Sequence, residues 1–261
     1  MKKMPYSEFD RAAPVIRLDC VPSTNLEVKQ RAQAGAPDGL AVIAARQTMG
    51  RGRLGRGFES PEGGVYLSML RYPRAAADTL ASLTPCVAVA VRRAIARVCG
   101  VWADIKWPND LTLNGRKLCG ILVESSSAAD GRRFIVIGVG INVNTESAAL
   151  SDAVRGTAAS LKAALGRGVD SSAVSRAVIE ELDRVYAAWE RDSAAFLDEY
   201  RRACISLDCP VTIIRDGAAR PAYAVDIDES YALIVIADGQ RQRVTMGEVS
   251  LRKGLELEDK I

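Results

Sequence analysis

The residues best suited to chemistry fall in four short segments. The first, Gly50-Arg51-Gly52-Arg53-Leu54-Gly55-Arg56-Gly57, sets three arginines among four glycines. Glycine lets a backbone adopt positive φ and come close to a ligand. The guanidinium fork matches the oxygens of phosphate and carboxylate. The segment reads as a loop that closes over an anion, and its glycine content favours mobility without a ligand. A solvated basic turn, or a patch touching nucleic acid nonspecifically, fits the composition equally well. No Gly-Lys-Ser/Thr ends the segment, so it is not a Walker A loop.

The second segment, Lys106-Trp107-Pro108-Asn109-Asp110, ends a strand in a proline-fixed turn that presents an amide and a carboxylate. Asp110 could help hold Mg²⁺ near phosphates, because hard cations prefer oxygen ligands. A turn bonded only to its own backbone is the plain alternative. In the third, Lys117 opens the apolar run Leu118–Val123, and Gly120 permits close approach from a neighbour or ligand. A lysine on a strand is a rigid positive charge suited to a carboxylate or phosphate in an acyl-adenylate. A strand-end lysine reaching for water reads the same way in isolation. The fourth segment, Gly138-Val139-Gly140-Ile141-Asn142, closes a very apolar strand. Its glycines mark backbone crowding or a ligand surface, and Asn142 could read an amide or nucleobase. It lacks the third glycine and following helix of a dinucleotide fingerprint.

The chain contains no histidine. Histidine-based triads, dyads and metal sites are thereby excluded. Acid–base work falls to Lys, Asp, Glu, Tyr or Cys, or the chemistry rests on positioning and electrostatics.

These segments need a scaffold. Strands are predicted at Val15–Leu18, Leu40–Ala44, Val65–Leu70, Lys117–Val123 and Phe134–Val139, each short, apolar and bounded by turn residues. Asp78–Val98 reads as a helix ended by Gly100. Val174, Val178, Leu182, Val185 and Trp189 recur at helical spacing after a cap at Asp170-Ser171-Ser172. Shorter helices are predicted over Thr157–Leu165 and Ser193–Ala203.

After about Ser206 the pattern becomes short β-branched runs, at Val211–Ile214, Tyr223–Ile227, Leu233–Ile236 and Arg241–Thr245. The hairpin dipeptides Asp216-Gly217 and Asp238-Gly239 punctuate them, which predicts a small antiparallel barrel. Two domains are expected, over 1–205 and 206–261. The six cysteines lack any CxxC pair and read as reduced thiols, mostly in the core. The polar N-terminus lacks a signal peptide's apolar run, and no apolar stretch of about 18 residues is read. A cytoplasmic protein without a membrane partner is expected. The net charge of +3 is too small to argue for nucleic acid.

Taken in order, Ser23-Thr24-Asn25, Gln47 with the Gly-Arg loop, Ser60-Pro61, Tyr66-Leu67-Ser68, Lys106–Asp110, Lys117–Glu124 and Gly138–Asn142 resemble the biotin protein ligases. The late segment Met246–Arg252 resembles the end of that family's SH3-like barrel. The resemblance implies an α+β fold: a mixed sheet with flanking helices, like the class II aminoacyl-tRNA synthetases, plus a small C-terminal SH3-like β-barrel. It implies biotin and ATP as substrates, Mg²⁺ with the ATP, and a biotin carboxyl carrier protein as acceptor.

Residue by residue, biotin would meet Ser23, Thr24, Asn25, Gln47, Arg51, Gly52, Arg53, Lys117 and Gly120. ATP would meet Arg53, Asn109, Asp110, Gly138, Asn142 and Arg252. Lys117, Arg51 and Asp110 would carry the catalysis, with Asp110 a candidate to assist the attacking amine. The chain departs from the family at Phe58, where a tryptophan is usual, losing an indole donor. About twenty residues precede Ser23, too few for the DNA-binding domain of bifunctional relatives, so no operator binding is expected. Monomer and homodimer both stay open. Lipoate and octanoyl transferases carry a histidine after a run of glycines, which is missing here. A nucleic-acid binder would show more than the 5% aromatic content found.

Overall fold

Alternation of side chains along the strands decides how this chain layers. The computed structural model describes residues 11–215, 218–246 and 250–253. The chain begins with β1 (Val15–Val21), α1 (Thr24–Gln33), β2 (Ala41–Gln47) and β3 (Val65–Arg71). Next come α2 (Leu80–Cys99), β4 (Asp104–Lys106), β5 (Asp110–Leu113), β6 (Arg116–Ser127) and β7 (Arg133–Ile141). These strands form one seven-stranded sheet in the order β1-β2-β3-β7-β6-β5-β4. Only β1 and β2 pair in parallel. Helices α3 (Asp152–Arg155), α4 (Leu161–Leu165), α5 (Ser171–Trp189) and α6 (Leu197–Ala203) follow.

Strand residues two apart share a face. Val65, Leu67 and Met69 of β3, with Ile135, Ile137, Val139 and Ile141 of β7, build the face covered by α2 and α5. The opposite face is apolar only at one end, where Leu70, Phe134 and Val136 meet Val28 and Ala32 of α1. Each such fully buried aliphatic contributes roughly 1.5–3 kcal/mol. Toward the other end the same face carries Tyr66, Ser68, Gly120, Gly138 and Gly140.

The five predicted strands of the first part and the two long helices all form, with Gly100 in the left-handed conformation at φ 69°. Asp170 caps α5 by accepting from the Ser172 and Ala173 amides. Two helices are shorter than predicted. Helix α4 starts only at Leu161, because Ala158 pairs with Lys117 as a strand bridge. Helix α6 starts at Leu197, after a turn in which the Ala194 amide binds Asp192. Helix α1 was not anticipated, since Val28 and Ala32 are its only buried apolar residues. The stretch 77–99 corrects another expectation, being long and apolar enough by composition to cross a bilayer. Its apolar surface is met by the sheet and by α5, as in the core helix of a globular domain. All six cysteines are free, but only Cys86, Cys119 and Cys204 are buried, and Cys20 is exposed.

The chain then enters β8 (Cys209–Arg215), β9 (Ala218–Ile227), β10 (Leu233–Ala237), β11 (Gln240–Val244) and β12 (Ser250–Lys253). These form a five-stranded antiparallel sheet in the order β11-β10-β9-β8-β12. Asp238 and Gly239 both take positive φ, as their hairpin turn requires. Asp216-Gly217 lies outside the described residues, as do residues 247–249 of the late segment. The small sheet shares the main core through Val211, Leu233 and Val235.

Its polar anchor is the β9–β10 turn. Asp228 accepts from the Ser230 and Ala232 amides, each at 2.9 Å, and from Arg243 at 2.6 Å. The turn places Tyr231, whose carbonyl accepts from the Trp107 indole at 3.0 Å. Tyr200 of α6 donates to the Pro108 carbonyl at 3.1 Å. The small sheet and α6 thus hold the turn that presents Asn109 and Asp110.

Burial raises the Asp228 carboxyl, but its bonds to Ser230, Arg243 and Ala232 outweigh that, leaving its pKa below the usual value. A depressed pKa stabilises the fold above the unfolded value, near 4, and the benefit is lost as pH falls through the folded one. Asp228→Ala should cost about 2 kcal/mol at pH 7. The gap in thermal midpoint between the two proteins should hold from neutral pH to pH about 5, then close under acid. A gap that persists unchanged at low pH would refute the charged turn as its source.

Candidate active site

Helix α1 begins where β1 ends, and its first residues point across the open end of the sheet. Ser23, the N-cap, makes no side-chain capping bond, which leaves its hydroxyl to the cavity it lines. The Gln47 side-chain oxygen accepts from the Thr24 amide at 2.8 Å and from the Thr24 hydroxyl at 3.1 Å. The Gln47 amide nitrogen donates to Ser60 Oγ at 2.8 Å. Ser68 Oγ lies 2.7 Å from Thr24 Oγ1 and 2.6 Å from Asn25 Oδ1. Asn25 Nδ2 donates to Glu124 Oε2 at 2.7 Å. Ser23, Thr24, Asn25 and Ser68 are all buried, so this wall is preorganised rather than solvated.

The floor is the β6–β7 pair, where Gly120 faces Gly140 and Leu122 faces Gly138. A methyl on Gly140 would sit 2.6 Å from the Phe58 ring, and one on Gly120 would sit 2.9 Å from it. A methyl on Gly138 would sit 2.1 Å from Asn25 Oδ1. The glycines therefore let Phe58 and Asn25 rest directly on the backbone of the sheet.

Register explains Lys117. Simple alternation would turn it to the core face with Cys119 and Ile121. A bulge opposite Leu111–Thr112 shifts the pairing so that Thr112 faces Lys117 while Leu111 faces Cys119. Lys117 therefore joins Gly120 in the cavity. Its ammonium lies 2.8 Å from Asp110 Oδ1 and 5.6 Å from the centre of the Phe58 ring.

The Gly-Arg segment is a small hairpin. The Gly52 amide binds the Arg56 carbonyl at 2.7 Å, the Phe58 amide binds Gly50 at 2.9 Å, and the tip turns through positive φ at Leu54 and Gly55. Arg53 donates to Asn109 Oδ1 at 3.1 Å and to the Met246 carbonyl, tying the hairpin to the turn and to the small sheet. Burial lowers the Arg53 pKa and the nearby Asp110 charge partly restores it. The guanidinium nonetheless stays cationic at any physiological pH. Arg51 is half exposed and sits 3.9 Å from Glu124 Oε1.

Twelve of the sequence-predicted positions line this one cavity: Ser23, Thr24, Asn25, Gln47, Arg51, Gly52, Arg53, Asn109, Asp110, Lys117, Gly120 and Gly138. Asn142 does not line it. It lies just behind, with its amide bound to the Leu118 carbonyl and its own carbonyl to the Leu161 amide. Arg252 is on β12 opposite Thr212, and its side chain lies outside the described residues. Sequence reasoning passed over Ser68, Glu124 and Lys29 as site residues. A serine facing away from the core within an otherwise apolar strand was the available signal for Ser68. Cys119 borders the site but is fully buried, and burial pushes its thiol pKa up, which makes it a poor nucleophile.

Residues 17–142 match the model of the Biotin/lipoate A/B protein ligase family. The biotin–[acetyl-CoA-carboxylase] ligase of Paracoccus denitrificans is 32% identical over 87% of this chain and 96% of that protein. The bifunctional ligase/repressor BirA of Bacillus spizizenii is 37% identical over 66% of this chain, which spans only 53% of that longer relative. Among solved structures, the biotin protein ligase of Aquifex aeolicus in complex with biotin and ATP superimposes with a TM-score of 0.80 at 26% identity. The superposition covers 92% of this chain and 99% of that one. On these likenesses the chain belongs to the biotin protein ligase family.

Proposed function

We propose that the protein is an ATP-dependent biotin ligase. It converts biotin and ATP to biotinyl-5′-AMP and pyrophosphate, then transfers biotin to a lysine of a biotin carboxyl carrier domain. The observation that carries this reading is the meeting of Lys117, Arg51 and Arg53 with the Ser23–Asn25 and Gln47 wall in one cavity.

The ring system of biotin packs against Phe58, which itself lies on the Gly120–Gly140 floor, with its ureido edge toward Ser23, Thr24 and Gln47. Asn25 holds the wall in place through Glu124 and Ser68, as Gln47 does through Thr24 and Ser60. The biotin carboxylate extends toward Lys117. One of its oxygens attacks the α-phosphorus of ATP, forming the acyl–phosphate bond as the bond to pyrophosphate breaks. Lys117 and the two arginines offset the negative charge that concentrates there, from positions fixed before reaction. A neutral carrier lysine then attacks the acyl carbon, AMP departs as its phosphate, and the amine's extra proton is released. Asp110 is the candidate to receive that proton, but it would first have to loosen its 2.8 Å pair with Lys117. Its resting task is to orient that ammonium.

Asn142 and Arg252 are assigned to the nucleotide side. Asn142 Oδ1 is buried without a protein partner among the described residues, as a group awaiting a ligand would be. Mg²⁺ would be held here by hard oxygen donors, of which Asp110 lines the cavity. No cluster of three or more His, Cys, Asp or Glu that could hold a metal occurs among the described residues. The ion would therefore be held largely by the ATP phosphates and water, and would supply charge neutralisation there.

ATP–pyrophosphate exchange with biotin, lipoate and octanoate tests the reading. Exchange should require biotin, and Lys117→Ala should lower its kcat by about 10²-fold or more. Exchange driven by lipoate would move the protein to the sister activity, and exchange with none of the acids would overturn the adenylation chemistry. The floor gives a second test. Gly140→Ala should push Phe58 into the cavity and raise KM for biotin by about tenfold, the effect of roughly 1.4 kcal/mol of overpacking. Adding Phe58→Leu should recover most of the loss, and a KM unmoved by Gly140→Ala would remove Phe58 from the biotin site.

A further inference from the structure

Glu124, a charged group beside the cavity, enters the scheme above only as a partner of Asn25. Glu124 sits on β6 where the polar wall meets the hairpin, and its side chain is only 19% exposed. Three residues converge on it. Lys29 donates to Oε1 at 2.7 Å and Asn25 to Oε2 at 2.7 Å, while Arg51 stands at 3.9 Å. Asn25 and Lys29 are four residues apart on α1, so one helix face presents both to the carboxylate. Burial works against the Glu124 charge, but the bonds from Lys29 and Asn25 and the charges of Lys29 and Arg51 hold its pKa below the usual value.

The distances rank the partners. Lys29 and Asn25 make short, directed bonds, whereas Arg51 lies beyond hydrogen-bond range and is held by charge alone. Lys29 already balances the carboxylate. Arg51 can therefore leave without stranding a partly buried charge, a departure that would otherwise be costly. We propose that the Lys29–Glu124 pair is a positioning device for Arg51: it parks this hairpin arginine beside the cavity and releases it to an anionic ligand. The inference rests on the reading of Arg51 as a ligand-binding arginine. It adds that the charge of Lys29 sets how readily Arg51 is surrendered.

The device makes an unusual prediction about two substitutions. Among the described residues, Lys29→Met leaves Glu124 with Arg51 as its only cation, so Arg51 is gripped harder. KM for biotin in the exchange assay should rise about three- to fivefold, the range expected for a partly exposed ion pair, with most of the effect in KM rather than kcat. Adding Glu124→Gln removes the competing charge and keeps an oxygen for Asn25, so the double variant should return KM toward the original. A purely structural role predicts the reverse, with the double variant at least as impaired as Lys29→Met.

A ligand-free readout stands beside it. Tryptic cleavage after Arg51, followed by mass, should slow in Lys29→Met and quicken in Glu124→Gln. Unchanged cleavage in both variants, or a double variant without KM recovery, overturns the proposal. Should the parent protein show no biotin-dependent exchange, the proposed function fails, and cleavage alone then decides whether Glu124 parks the arginine.

Discussion

The β6–β7 pairing puts glycine where Phe58 and Asn25 must lie directly on the sheet. Gly120 opposes Gly140, and Gly138 lies one step along the same face. A strand pair without side chains on one face is weak by itself, because glycine packs nothing and loses more entropy on folding. Here the opposite face compensates with Ile121, Ile137, Val139 and Ile141, all in the core. That division of labour lets Phe58 and Asn25 come within van der Waals reach of the backbone. The wall, the hairpin and Lys117 are arranged around the space this creates.

Holding those parts to one geometry falls to polar contacts between distant segments. Gln47 joins the start of α1 to the Ser60 turn, and Ser68 joins α1 to β3. Trp107 is fixed by the Tyr231 carbonyl and by Ser206 Oγ, which accepts from the Trp107 amide at 3.1 Å. Each bond contributes modestly to stability, but a buried donor left without its acceptor costs more than the bond gains. The network therefore specifies one arrangement more strongly than it stabilises the fold.

Much of this was legible in the sequence, and what was not has physical causes. Short apolar runs bounded by turn residues located five of the seven strands of the large sheet, and helix caps located both long helices, because each depends on residues close in sequence. The cavity residues were legible only through the family resemblance, since the segments taken singly fitted bland turns and strand ends. Lys117 shows the limit well: its face is set by a bulge in the pairing with β5, which no pattern within β6 reveals. Helix α1 hid for a related reason. Its buried positions include Thr24 and Asn25, whose burial is secured by Gln47 and Ser68 from other strands. Thr157–Ala159 fails as a helix because the Lys117 amide and carbonyl claim its backbone from 40 residues away.

Arg51 and Arg53, two of the three hairpin arginines, differ in what binding must replace. Arg53 reaches Asn109 and the Met246 carbonyl, so it ties three segments of the chain together. Moving it would break hydrogen bonds that a ligand must then rebuild with equal geometry. Arg51 is 52% exposed and lies near a carboxylate that is already neutralised. A ligand anion can take Arg51 while the rest of the hairpin stays seated. A chain without histidine cannot lean on a titrating imidazole to move charge at neutral pH. It has instead one arginine fixed by hydrogen bonds and one held by charge alone, so charge can be brought to an anion by moving a side chain rather than a proton.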